Sequence, residues 1–250
     1  MKLDLKKILL LPIMALSVVV GGCTWSKPTQ EELFEEYKAA YNNTMSKQVF
    51  SATVAMVGEA DGSSSEMITN YTVNENGTYR KNSVQELYIV KKGDKYYSYT
   101  SIGTTKTYME ITEEEWNSFK SPFKTIELDP KPGNNIDEMI ENLKSHFLEQ
   151  MTASLPINVN AEFKKEYDKN LKKDKLMVNV KSTYKTTGNQ DVTVDMYIEC
   201  CDNLVKKFNI EIDTASGEYV GYVRLSLEYI PNNSLIPTDD ELDLYLPPLQ

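Results

Sequence analysis

The sequence predicts an α+β fold: a strongly curved antiparallel sheet, an unclosed half-barrel of roughly eleven strands, with helices covering the concave face. Three observations predict it. Apolar and polar residues alternate at period two in many short segments split by turn residues. Tyrosine outnumbers phenylalanine by 16 to 7, which suits strands whose rings keep one end wet. Helical periodicity is confined to the front of the chain and to its middle, so helices are few and placed to cover one side of a sheet that cannot leave its apolar face bare.

The chain opens on a segment outside that fold. Lys2, Lys6 and Lys7 precede the apolar run Ile8 to Val20, which is shorter than the roughly 20 residues a membrane-spanning helix needs. A basic start, a short apolar stretch and small residues at its end read as a secretory signal. Val20-Gly21-Gly22-Cys23 resembles the bacterial lipobox. That resemblance implies a diacylglyceryl group on the Cys23 thiol and cleavage before it. Residues 1–22 are then a lipoprotein signal peptide and 23–28 a tether. The protein is expected at the extracytoplasmic face of the cell membrane, its membrane partner held through the Cys23 anchor. A double acyl chain suffices where a single one is marginal.

The leader holds three of the 27 basic and one of the 37 acidic residues, so the remaining chain carries a net charge of about −12. Such a surface repels phosphate backbones, and no nucleic-acid partner is expected. With 250 residues, 26% of them charged, and a mean hydropathy of −0.45, the bulk forms one water-facing domain with a real core.

Thr29 and Glu32 have capping-box spacing, and Leu33, Phe34, Tyr37, Ala40 and Tyr41 recur on one helical face, so a first helix ends near Asn42 and Asn43. A meander follows: "VFSATVAMV", "EMITNYTV" after the break "DGSSS", a short strand near Thr78 to Lys81, "VQELYIVKK", "YYSYTS" and "TKTYMEI". Thr112 and Glu115 again have capping spacing and start a short helix. Asn135 caps a longer one, whose apolar face is Ile136, Met139, Ile140, Leu143, Phe147 and Met151.

The second meander alternates more cleanly. Val159, Ala161 and Phe163 share a face, as do Leu176, Val178 and Val180, and Val192, Val194, Met196 and Ile198. Phe208, Ile210 and Ile212 follow, then Val223, Leu225, Leu227 and Tyr229. One wet and one buried face mark antiparallel sheets. The domain is expected over 29–230, with 231–250 a C-terminal extended acidic tail.

This order of helix, six strands, helices and five strands resembles the LolA-like (LolA/LppX-type) superfamily of envelope lipoproteins. The texture that carries it is the first helix leading into "FSATVAM", the hairpin "LYIVKKGDKYYSYTS" and the closing "YMEITEEEW". The resemblance implies a cavity between sheet and helices that admits acyl chains or other apolar ligands. Its lining would be Val178, Val194, Met196, Ile210 and Leu225, with Leu143 and Phe147 on the helical lid. The same residues could equally fill a core. The expected function is that of a lipoprotein that binds or shuttles a lipid-like ligand. The alternative is a non-enzymatic scaffold with a filled core that recruits an envelope protein or wall polymer.

No catalytic set, cofactor site or metal site is expected. His146 is the single histidine, and no nucleophile elbow, P-loop or dinucleotide fingerprint occurs. Cys200 and Cys201 are adjacent, which leaves two strand-end thiols, a strained vicinal disulfide or a metal-binding pair, with no further cysteine to complete a metal site. The acidic runs 113–115 and 239–243 lack calcium-loop spacing and read as solvated charge. The lysines of 164–175 are interleaved with acids and read as a polar hairpin, or as a surface facing the membrane or an anionic polymer.

Overall fold

The computed structural model describes residues 27–60, 63–123, 130–150, 153–214 and 219–245. The expected signal peptide, Cys23 and Met151 lie outside them. Helix α1 (Gln30–Met45) precedes strands β1 (Phe50–Ala60), β2 (Ser63–Val73), β3 (Gly77–Lys81), β4 (Gln85–Lys92), β5 (Lys95–Ile102) and β6 (Thr105–Ile111). Helices α2 (Glu113–Ser118) and α3 (Ile136–Gln150) follow. Then come β7 (Ala153–Asp168), β8 (Lys173–Thr186), β9 (Asp191–Cys201), β10 (Leu204–Thr214) and β11 (Tyr219–Glu228). A 3-10 turn (Asn233–Leu235) and helix α4 (Asp239–Asp243) end the described chain.

All eleven strands form one sheet in the order β6-β5-β4-β3-β2-β1-β11-β10-β9-β8-β7. Each neighbour is antiparallel. The two meanders join where β1 pairs with β11, Val54 opposite Leu225. Strands β6 and β7 are the two edges and do not pair with each other, so the half-barrel is unclosed. This is the α+β fold class read from the sequence.

Directly opposed residues of antiparallel strands share a face, so register assigns the faces. Phe163, Val178 and Ile198 stand in one row; Val180, Met196 and Ile210 stand in another. These rows, with Ala52, Val54, Leu225 and Leu227, form the main core with the apolar faces of α1 and α3. The caps expected for α1 and α3 are both present. The Thr29 hydroxyl accepts from the Glu32 N–H while the Glu32 carboxylate accepts from the Thr29 N–H, and Asn135 Oδ1 accepts from the Glu138 N–H at 2.8 Å. On α3, Met139, Leu143 and Phe147 are buried, whereas Ile136 and Ile140 are half-buried.

Some boundaries differ from the sequence expectation. Ser63–Ser65, read as a turn, extend β2, because Ala60 pairs with Ser63 and Gly58 with Ser65 in a longer hairpin. Helix α1 runs past Asn42 and Asn43 to Met45, held by Thr44, whose hydroxyl donates to the Ala40 carbonyl at 2.8 Å.

The segment expected as an extended acidic tail folds back on the outer face of the first meander. Tyr79, Tyr88, Val90 and Tyr99 stand on that face, and Leu242 and Tyr245 pack onto them in a second buried cluster. Composition hid this. The acids of α4 are its first turn: Thr238 and Glu241 form a third capping box, and negative charge suits a helix N-terminus. The inner face of the same strands is covered by α2 and the residues after it. The Trp116 ring lies 5.2 Å from that of Tyr96, and the Thr78 hydroxyl donates to the Phe119 carbonyl at 3.4 Å.

Candidate functional site

The seven residues read as a ligand surface come together. Leu143, Phe147, Val178, Val194, Met196, Ile210 and Leu225 belong to one cluster, and none is more than 6% exposed. Met196 stands opposite Ile210; Val178 stands opposite Phe163 and Ile198; Leu225 stands opposite Phe208 and Val54. Helix α3 lowers Phe147 onto Tyr184, with ring centroids 5.7 Å apart and nearly parallel. Helix α1 supplies Phe34 and Tyr37, packed against Phe163 at 5.7 and 6.1 Å. In this arrangement the helix–sheet layer is packed and apolar.

Two buried polar side-chain atoms in the described chain have no hydrogen-bond partner, Arg80 Nε and Ser182 Oγ. Both belong to the inner face. Arg80 stands opposite Tyr71 of the main core, its guanidinium 5.7 Å from that ring's centre. Ser182 is fully buried, opposite Val159 on one side and Val194 on the other. The sequence reading missed Ser182, although a signal exists. The inward series of β8 is Leu176, Val178, Val180, Ser182, Tyr184, and the serine breaks an apolar run at its fourth place.

Three cavities lined by described residues lie apart from the seven. One of about 310 Å³ lies where β1, β2 and β11 meet Ile230–Asn232, lined by Ser51, Thr53, Asn70 and Glu228. Another, about 220 Å³, separates the folded-back C-terminal segment from Lys81, Glu86, Tyr88 and Lys106. The third, about 260 Å³, lies where the β7–β8 ladder is interrupted between Ser154 and Asn158, and is lined mainly by the outward-facing Asn158, Thr183, Lys185, Asp191 and Thr193.

The titratable residues singled out in the sequence hold structural places. His146 is half-buried on α3. Burial pushes its pKa below the usual histidine range, with Glu149 opposing the shift. Cys200 and Cys201 are free thiols; burial, and then Glu36 and Glu199, push the Cys200 thiol up to about 12, which makes it a poor nucleophile. The acids of 113–115 are the first turn of α2, with Glu115 closing the Thr112 capping box. Much of the lysine stretch is neutralised: Lys164 pairs with Glu166, Lys165 with Glu36, Lys173 with Asp202, and Lys175 with both Asp168 and Glu199. Among the described residues no group of three or more His, Cys, Asp or Glu could hold a metal ion, and no helix is long and apolar enough to cross a membrane.

No family model and no curated protein matches this sequence. Among solved structures the chain is similar to LprF from Mycobacterium bovis, at 10% identity and a TM-score of 0.33, over 85% of this chain and 99% of that one. It is similar to the DUF1329 family protein from Desulfovibrio piger, at 8% and 0.29, over 84% and 100%. It is also similar to the LolA superfamily protein NE2245 from Nitrosomonas europaea, at 10% and 0.27, over 86% of this chain and 97% of that one.

Proposed function

We propose that this protein is a cell-envelope lipoprotein, anchored through Cys23, that binds or shuttles an apolar, lipid-like ligand between its helices and the inner face of its sheet. One observation carries the reading. Helix α3 lays Met139, Leu143 and Phe147 on an inner face built from valine, isoleucine, methionine and leucine, in a sheet whose edges do not meet. Lifting α3 uncovers an apolar trough, and an acyl chain in its place restores the buried area that α3 gives up. Leu143 and Phe147 are then the lid, and Val178, Val194, Met196, Ile210 and Leu225 the floor.

The test is organic extraction and mass spectrometry of the chain purified without residues 1–23, which leaves every described element intact, together with titration of a fluorescent fatty-acyl probe. Co-purified lipid or saturable uptake of the probe supports the reading. Their joint absence overturns it in favour of the scaffold, whose support is the dense packing of the same seven residues. Anchoring is tested separately by Cys23→Ala, which should release the protein from membranes or leave its leader uncleaved.

A further inference from the structure

Resting on the binding reading above, we propose that Ser182 is a polar recognition point within the apolar trough, and that the ligand carries a carbonyl oxygen, as an acyl ester or fatty acid does, which accepts a hydrogen bond from the Ser182 hydroxyl. The hydroxyl is fully buried and unpartnered, in a face whose neighbours Val159, Val180 and Val194 offer no side-chain acceptor. Buried hydroxyls in folded proteins are nearly always bonded, so an orphan in the middle of the proposed floor points to a missing partner. A serine hydroxyl both donates and accepts; the partner enters as a lipid and brings acceptors, so donation by Ser182 is the productive direction. The cavity at the β7 bulge is lined mainly by Asn158, Thr183, Lys185, Asp191 and Thr193, which stand on the other face of the sheet, so Ser182 is reached from the helix side. A carbonyl at Ser182 would lie in the trough under the helices, with the chain running over Met196 and Ile210. A pure hydrocarbon fills the same trough but leaves the hydroxyl unpaired.

The experiment uses the chain without residues 1–23, in wild-type form and as Ser182→Ala, with two probes: a pyrene-labelled fatty acid methyl ester and the matching pyrene-labelled alkane. The ester should bind Ser182→Ala about fivefold more weakly, the effect of one net hydrogen bond, while the alkane binds both proteins equally. Without ligand, the urea midpoint of Ser182→Ala should equal or exceed that of wild type, because an unpartnered hydroxyl is removed. Equal loss for both probes, no loss for the ester, or a lower ligand-free midpoint would each overturn the assignment of Ser182 and leave the binding reading standing. Failure of both probes to bind the wild-type chain overturns the binding reading and this inference with it.

Discussion

The side-chain amide of Gln30 lies against the backbone of Phe163 as a neighbouring strand would. Its Nε2 donates to the Phe163 carbonyl at 2.8 Å and its Oε1 accepts from the Phe163 N–H at 2.9 Å. Phe163 belongs to β7, an edge of the sheet, and unpaired edge groups invite other chains to pair. The first residue of α1 thus closes the edge and fixes the helix over the core. Gln30→Ala should lower stability by about 1–2 kcal/mol, read as a lower urea midpoint, and should raise aggregation on warming. Gln30→Glu keeps the acceptor, loses the donor and should not restore stability. An unchanged midpoint in Gln30→Ala would show that the amide contact contributes nothing.

A second prediction concerns Thr44. Its hydroxyl accepts from the Val205 N–H at 2.9 Å and lies 3.1 Å from the Tyr229 hydroxyl, which donates to the Val205 carbonyl. Strand β10 slips register against β9 between Val205 and Lys207, and such irregularities leave backbone groups outside the ladder. Thr44 and Tyr229 satisfy those of Val205. Thr44→Val, equal in shape, leaves a buried N–H unpaired and should cost about 1–3 kcal/mol. Thr44→Ser keeps the hydroxyl and should cost less. Chemical denaturation of the two variants checks the order, and equal losses would mean that the methyl group, not the hydroxyl, matters.

What could be read from the sequence follows from what is local. The Thr29 and Thr112 boxes need only residues three apart, and the alternation of β8 to β10 places Val178, Met196 and Phe208 inward without knowledge of their partners. Contacts spanning the chain left no local mark. Gln30 to Phe163 and Thr44 to Val205 each join residues more than 130 positions apart, and nothing in "NNTMSKQ" shows that its threonine serves a distant strand. The C-terminal segment misled for a different reason. Its prolines and acids resemble a solvated tail, while Leu242 and Tyr245 find their surface only once β3 to β5 have formed. At the candidate site, the inward-facing residues were legible as apolar alternation. Ser182 was legible only as a break in that alternation, because the lack of a partner for its hydroxyl depends on what surrounds it.

The folded-back segment yields a prediction that separates packing from charge. The Tyr245 ring meets those of Tyr88 and Tyr99 at 5.9 and 5.7 Å, and the Lys106 ammonium sits 4.9 Å from its centre. Asp243 pairs with Lys92 at 3.2 Å, with Asp243 exposed and Lys92 partly exposed. Tyr245→Ala should therefore cost about 2–4 kcal/mol, whereas Asp243→Asn should cost roughly 0.5 kcal/mol or less, as exposed pairs do. Thermal unfolding of both variants provides the comparison. If both were silent, the segment would be a solvated tail after all, and the tyrosines beneath it would need another cover.

Protonation of His146 should loosen α3, the lid of the proposed trough. Burial holds its pKa in the folded state below the ordinary 6.5, with Glu149 only partly offsetting that effect. The unfolded chain therefore binds this proton more readily than the native one, and stability rises with pH where the two forms differ. The stabilisation is complete above the unfolded value, is lost as pH falls from 6.5 through the lowered folded pKa, and is flat below it. The carboxylates held low by their bonds, Glu115, Glu138 and Glu241 in helix caps and Asp168 at about 2 beside Lys175, act chiefly at more acid pH, so the window between pH 7 and 5 belongs mainly to His146. Urea midpoints across that window should fall for the wild-type chain and stay nearly level for His146→Gln. Because the imidazole rides on α3 beside Phe147, uptake of an acyl probe should rise over the same range in wild type alone. A parallel fall in stability in both proteins would assign the pH dependence to the carboxylates and remove His146 from the account of lid opening.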